Sequence, residues 1–237
     1  YDALLNSPIE HLLIRQEQMG GHCANGLARV TGRPQVCIAT SGPGALNLIT
    51  GIATAYMDSI PLVCITGQVN SDQLGKDVFQ EADITGAVEP FSKYSYIVKD
   101  GSQIARIFKE AFYLAGTGRP GPVVIDVPTD IQNQTIDFEY PETISMRSYK
   151  PTVVGNARQI TRAAAALKKS KRPLIVAGGG IFAAGAVEEL NQLAAKAGIP
   201  VVTTLMGKGA VQDDDPYYMG MIGTHGVGSA NQALAHA

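Results

Sequence analysis

Three short runs, Val36-Cys37-Ile38-Ala39, Leu62-Val63-Cys64-Ile65 and Val123-Val124-Ile125, are apolar at every position. A strand with one wet face alternates polar and apolar residues, whereas a strand apolar on both faces must be covered on both, as parallel strands joined by crossover helices are. The pattern predicts strands at about 11–15, 35–40, 61–66, 93–98 and 121–126, with helices at roughly 17–30, 44–57 and 102–116 between them. The fold class that follows is α/β, a doubly wound and mostly parallel sheet.

From Gln132 to Gly155 the composition shifts to Gln, Asn, Thr, Pro, Glu and Tyr without helical period, as in a linker. The expected organisation is therefore a first domain over 1–131, a linker over 132–155 and a second domain over 156–237. The second domain opens at Asn156, a helix N-cap with Gln159 three residues on, and Ile160, Ala164 and Leu167 form an apolar stripe behind it. A strand at 173–177, the turn Gly178-Gly179-Gly180, a helix over 183–197 and a strand at 199–203 complete part of a Rossmann-like unit.

Of the 237 residues, 45% are hydrophobic and 17% charged, enough to bury a core and too apolar for a disordered tail. A net charge of -2 with scattered basic residues gives no electrostatic footprint for nucleic acid or an anionic membrane, which leaves small-molecule chemistry. Cys23, Cys37 and Cys64 lack metal-ligand spacing and read as buried thiols in a reducing, cytoplasmic setting. No apolar run is long enough to span a bilayer, and the start at Tyr1 has neither a Met nor a signal-peptide pattern. Beginning and ending mid-pattern, the chain is expected to be a fragment.

Glu17 is a carboxylate at the tip of the apolar run His11–Arg15, where a helix begins. An acid in a first helical turn is favoured by the helix dipole whatever its use. Here Gly20, Gly21 and His22 follow it, and the turn Thr40-Ser41-Gly42-Pro43-Gly44, with Asn47 three residues on, can converge on it. Gly42 and Gly44 permit close approach of a flat ring, and Pro43 stiffens the turn, but the glycine spacing matches no nucleotide signature. Gly67 to Asp83, polar after a buried strand, is placed where open α/β sheets build their sites. Thr204-Leu205-Met206-Gly207 and Gly220–Gly226 follow strand-like runs, as Gly178-Gly179-Gly180 does, and should gather at one sheet edge. Asp213-Asp214-Asp215 reads as a solvated turn, and no metal is assigned to it.

Arg15-Gln16-Glu17-Gln18-Met19-Gly20-Gly21-His22 followed by Thr40-Ser41-Gly42-Pro43-Gly44-Ala45-Leu46-Asn47 resembles the pyrimidine-binding domain of thiamine-diphosphate enzymes, in particular the acetolactate synthase family. The resemblance covers nearly the whole chain and is strongest from Arg15 to Pro128. It implies that Glu17 is the acid facing N1′ of the cofactor's aminopyrimidine, and that burial raises its pKa to share a proton there. It implies cofactor contacts for Pro43, Gly44 and Asn47, and places Phe79 and Gln80 at the reaction centre. Arg119 becomes an FAD contact, and Gly178, Gly179, Leu205, Met206, His225 and Gly226 become flavin contacts in the second domain. His22 is assigned to helix packing.

The implied activity is decarboxylation of pyruvate on thiamine diphosphate and carboligation to a second 2-oxo acid, in branched-chain amino-acid biosynthesis. A homodimer with a regulatory small subunit is implied, with FAD structural and Mg²⁺ held by a Gly-Asp-Gly…Asn-Asn element of a third domain. No Gly-Asp-Gly occurs in this chain, so the expected fragment is inactive alone. Gln16, Asn70 and Thr129 depart from the family's usual His, Pro and Lys, and Thr129 bears on substrate preference. Another FAD and thiamine enzyme such as pyruvate oxidase, or a non-catalytic nucleotide-binding paralogue, remains open; Phe79-Gln80-Glu81 and Gly67-Gln68-Val69 favour the synthase.

Overall fold

The computed structural model describes residues 2–237. The chain divides into two compact units, one ending at Pro151 and one running from Thr152 to Ala237. In the first, α1 (Asp2–Leu5), α2 (Glu17–Thr31), β1 (Gln35–Ala39), α3 (Pro43–Asn47), α4 (Ile49–Asp58), β2 (Leu62–Gln68), α5 (Ile84–Val88), β3 (Tyr94–Ile97), α6 (Ile104–Gly116), β4 (Pro122–Pro128) and α7 (Thr129–Gln132) follow in order. The four strands are all parallel, in the order β1-β2-β4-β3.

Alternation along the strands sends Leu62, Cys64 and Val124 to one face, where Leu48, Ile52 and Ala55 cover them. Val63, Val123 and Ile125 go to the other, against Ile107, Ala111 and Leu114 of α6. Each such aliphatic side chain, fully buried, contributes about 1.5–3 kcal/mol of transfer free energy. Helix α2 starts where the Gln16 side chain accepts the Met19 N–H and stops at Gly32, whose φ of 65° is the left-handed geometry that favours glycine. The segment after α7 is tied back to this unit: Met146 and Tyr149 pack on the α6 side, and Lys93 Nζ donates to Tyr149 Oη at 3.1 Å.

Several sequence expectations change. Residues 11–15 form no strand, and Leu13 is 82% exposed, because no described segment lies alongside to pair with its backbone. An apolar run makes a strand only where a neighbour supplies hydrogen bonds. β1 is the sheet edge, so Val36 and Ile38 stay exposed while Cys37 and Ala39 are buried. The helix expected over 44–57 is two: Leu48 donates its N–H to Ala45 O, and this tightened turn separates α3 from α4. Cys23 is exposed, because α2 buries Gly21, Ala24, Asn25 and Ala28 and Cys23 lies off that face. Cys37 and Cys64, paired in register across β1 and β2, are buried with their sulfurs 3.3 Å apart.

The second unit contains α8 (Ala157–Lys169), β5 (Ile175–Ala177), α9 (Gly180–Ala183), α10 (Val187–Ala197), β6 (Val201–Thr203), β7 (Tyr218–Met221) and α11 (Gly228–His236). Its parallel sheet has the order β5-β6-β7. Leu190 and Ala194 of α10 pack on Ala177, Val201 and Val211. Asn156 Oδ1 accepts the N–H groups of Arg158 and Gln159, which fixes the start of α8. The stripe of α8 is not buried: Ile160 and Leu167 are exposed. The helix expected over 183–197 is interrupted at Gly185, whose φ of 63° turns the chain between α9 and α10. Among the described residues no helix is long and apolar enough to cross a membrane.

Candidate active site

In a parallel sheet the C-terminal strand ends face one edge, where binding loops collect. The elbow Thr40–Gly44 leaves β1 there, and the 69–83 loop leaves β2 at Gln68. Glu17 meets the elbow from α2. Asn47 Nδ2 donates to Glu17 Oε2 at 3.0 Å, and a Cβ on Gly44 would sit 3.4 Å from Glu17 Oε1 and 2.7 Å from the Thr40 methyl. Gly44 is buried there, and any side chain would strike Thr40 and crowd the carboxylate. Gly42 has φ 60°, and a Cβ there would strike the Gln80 backbone, 2.7 Å from its carbonyl oxygen.

Glu17, Pro43, Gly44, Asn47 and the Gln80 backbone thus converge, on α2, α3 and the loop. What holds α2 there is a glycine contact: a Cβ on Gly51 of α4 would lie 2.9 Å from the Gly21 Cα. The Glu17 carboxyl is half-buried, and its pKa is lowered, not raised. The Asn47 amide donates to the charged form and the residue's own backbone N–H assists, which together outweigh the desolvation of a partly wet group.

The loop is built from its own carboxylate. Glu81 accepts the N–H groups of Gly75 and, at 3.1 Å, Val78, and these bonds lower its pKa. Ser71 N donates to Asp130 Oδ1 at 2.9 Å, anchoring the start. Asp77 and Gln80 adopt φ of 54° and 60°, a left-handed geometry uncommon outside glycine. Phe79 is 88% exposed at the tip, so it is no packing anchor.

Arg119 lies away from this cluster, just before β4 at the opposite sheet edge. Its Nε donates to Ser59 Oγ at 2.7 Å and its guanidinium stands 5.7 Å from the Tyr56 ring centroid, so it caps the C-terminal end of α4. In the second unit the turns after β5, β6 and β7 share one edge. A Cβ on Gly179 would approach the Met206 Cβ to 3.1 Å, which brings Gly178 and Gly179 beside Leu205 and Met206. Leu205 and His225 are exposed, and Asn231 clamps the turn that carries His225 and Gly226 through Gly223 N–H and O, at 3.0 and 3.1 Å. Among the described residues no three His, Cys, Asp or Glu side chains gather as a metal site.

Sequence reasoning missed Thr66 and Asp126, and saw Gln68 only as part of a motif; the three organise the loop from below. Their signal was a polar residue late in an otherwise apolar strand, Thr66 after Ile65 and Asp126 after Ile125.

Residues 1–87 match the profile of the thiamine pyrophosphate enzyme N-terminal TPP binding domain, and residues 160–237 match the thiamine pyrophosphate enzyme central domain. The chain belongs to the thiamine pyrophosphate enzyme family. Within that family it is 50% identical over 235 residues to an acetolactate synthase large subunit of Corynebacterium glutamicum, covering 99% of this chain and 38% of that protein. It is 48% identical over 237 residues to the acetolactate synthase large subunit of Haemophilus influenzae, covering 99% and 41%. The Buchnera aphidicola subsp. Schizaphis graminum large subunit is 50% identical over 240 residues, covering 100% and 42%. The chain spans about two fifths of the length of these family members.

Proposed function

We propose that this chain supplies the pyrimidine-binding and central parts of an acetolactate synthase large subunit. The subunit decarboxylates pyruvate and joins the acyl unit to a second 2-oxo acid, feeding valine, leucine and isoleucine synthesis. The observation that carries this is the Glu17 carboxylate, held by Asn47 against the elbow at Gly44. Thiamine diphosphate, when bound, supplies the carbon nucleophile for the 2-oxo carbon of pyruvate. What supports the fit is the donor set: a half-buried carboxylate with the Asn47 amide on Oε2, beside an elbow whose Gly44 keeps side-chain bulk away from Oε1. Glu17 would hold a proton at N1′, and covering by the ring would strip water from the carboxyl and raise its pKa from the low starting point. Pro43 and Asn47 would position the ring, while Phe79 and Gln80, on the loop that crosses Gly42, would face the substrate.

FAD is assigned to the turns with Gly178, Gly179, Leu205, Met206, His225 and Gly226, whose shared edge supports a long ligand; for Arg119, which caps α4 here, an FAD contact rests on the resemblance. Mg²⁺ would be held by residues other than those of this chain. A homodimer, a regulatory small subunit and a cytoplasmic location complete the proposal; the large-subunit names of the relatives support the second. The test is acetolactate formation by the full-length protein with and without thiamine diphosphate, in air and under nitrogen. Cofactor-dependent acetolactate at equal rates in both atmospheres supports the synthase. Oxygen-dependent consumption of pyruvate without acetolactate would overturn it in favour of an oxidase.

A further inference from the structure

Beneath the loop lies a buried carboxylate that the proposed chemistry does not use. Asp126 on β4 is 1% exposed and stands in register with Thr66 of β2. Thr66 Oγ1 donates to Asp126 Oδ1 at 2.6 Å, and Gln68 Nε2 donates to Asp126 Oδ2 at 2.9 Å. The same Gln68 amide nitrogen donates to Ala82 O at 2.7 Å, while Gln68 Oε1 accepts the Val69 N–H at 2.9 Å. One side-chain amide therefore closes the loop at both ends, residue 69 and residue 82. Thr129 Oγ1 steadies it from below, donating to the Gln68 main-chain oxygen at 2.9 Å.

An ionised carboxylate only accepts hydrogen bonds. The Gln68 amide therefore has one allowed orientation, since a flip would set Oε1 against Oδ2 and the Ala82 carbonyl and Nε2 against the Val69 N–H. We propose that Asp126, acting through Gln68, is a positioning residue that locks the base of the 69–82 loop and so holds Phe79 and Gln80 over the Glu17 elbow. Its catalytic consequence rests on the roles proposed above for Phe79 and Gln80; the lock itself does not. Protonation of Asp126 removes the charge that strengthens the Gln68 Nε2–Oδ2 bond, which loosens the lock, while Ala82 O and the Val69 N–H keep the amide in the same orientation. Burial raises the Asp126 pKa, Thr66 and Gln68 oppose the rise, and Asp83 at the loop's end adds to it, for a value of about 6. The other groups that face Asp126, Thr66 and Gln68, are neutral.

The experiment is hydrogen exchange of the chain, comparing peptides covering 69–82 with those covering β2 and β4, for wild type, Gln68→Met and Asp126→Asn. Exchange in the loop should rise on the order of tenfold in both variants, the worth of one or two hydrogen bonds, with the strands unchanged. Wild-type protection of the loop in folded Gln68→Met overturns the proposal. A measurement needing no variant is the wild-type pH series: loop exchange, corrected for intrinsic rate, should rise from pH 8 to pH 5 relative to the strands, and a constant ratio overturns the proposal. In the full-length protein, Gln68→Met should lower kcat while leaving the thiamine diphosphate Kd in place, because Glu17 and Asn47 are untouched. If the loop loosens and kcat does not change, the lock stands and the assignment of Phe79 and Gln80 to the reaction falls.

Discussion

Replacing Gly51 by Ala tests the packing that sets Glu17 in place. The new Cβ would lie 2.9 Å from the Gly21 Cα and 3.0 Å from its carbonyl carbon. Non-bonded carbons rest at about 3.5–4.0 Å, so α2 and α4 must part by somewhat less than ~1 Å. Overpacking of this kind costs about 1–3 kcal/mol, and the better helix propensity of Ala returns up to ~1 kcal/mol. The expected net is a loss of about 1 kcal/mol. Gly26→Ala, on the facing helix α2 with nothing within 4 Å of its Cβ, is the control and should gain about 0.8–1 kcal/mol from propensity alone. At roughly 2–4 °C per kcal/mol for a chain of this size, thermal unfolding should place the two variants about 4–8 °C apart, with wild type between them. If Gly51→Ala is stabilised as much as Gly26→Ala, the helices do not touch as described and the positioning of Glu17 needs another cause.

Asn47→Ala should raise the Glu17 pKa, since the amide that favours the charged form is gone; a carbon-detected NMR titration with an unmoved Glu17 would show that Asn47 is not the cause. Asp126 titrates near 6 when folded against 3.8 ordinarily, so its ionisation costs stability above that pH, at most about 3 kcal/mol at ~1.4 per unit, and the cost is relieved as pH falls through 6. The contribution of Glu17 and Glu81 runs the other way, present above their ordinary pKa values and lost in more acid solution. Between pH 7.5 and 5.5, melting temperatures of Asp126→Asn should thus slope differently from wild type, and parallel curves would remove Asp126 from the balance. In the folded chain a thiol reagent should modify Cys23 quickly and Cys37 and Cys64 only on unfolding; two fast thiols would contradict the buried pair.

Much of the first unit's sheet was legible because β2 and β4 are apolar on both faces, a pattern that few other arrangements satisfy. The run at 11–15 shows the limit: apolarity marks what wants cover, but a strand needs a partner, and the sequence does not say which segments lie side by side. The same blindness hid the exposed face of β1 at Val36 and Ile38, and the pairing of Thr66 with Asp126, which exists only because β4 inserts beside β2. Near Glu17, the place of the proline-glycine elbow followed from strand-end geometry at β1, whereas that of the acid came from the resemblance of Arg15–His22, since no strand forms at 11–15. The direction of the acid's pKa followed from neither, since that depends on one amide reaching it across the gap between two helices.

The central claim is that Glu17, held by Asn47 at the elbow, moves the proton that activates the cofactor. The most direct measurement is exchange with deuterium of the C2 proton of thiamine diphosphate bound to the full-length protein, wild type against Glu17→Gln, a change that keeps the shape and removes the acid. A slowing of about 10²-fold or more is expected, the scale of a general acid–base contribution. Wild-type exchange in the Gln variant, with cofactor still bound, would contradict the claim.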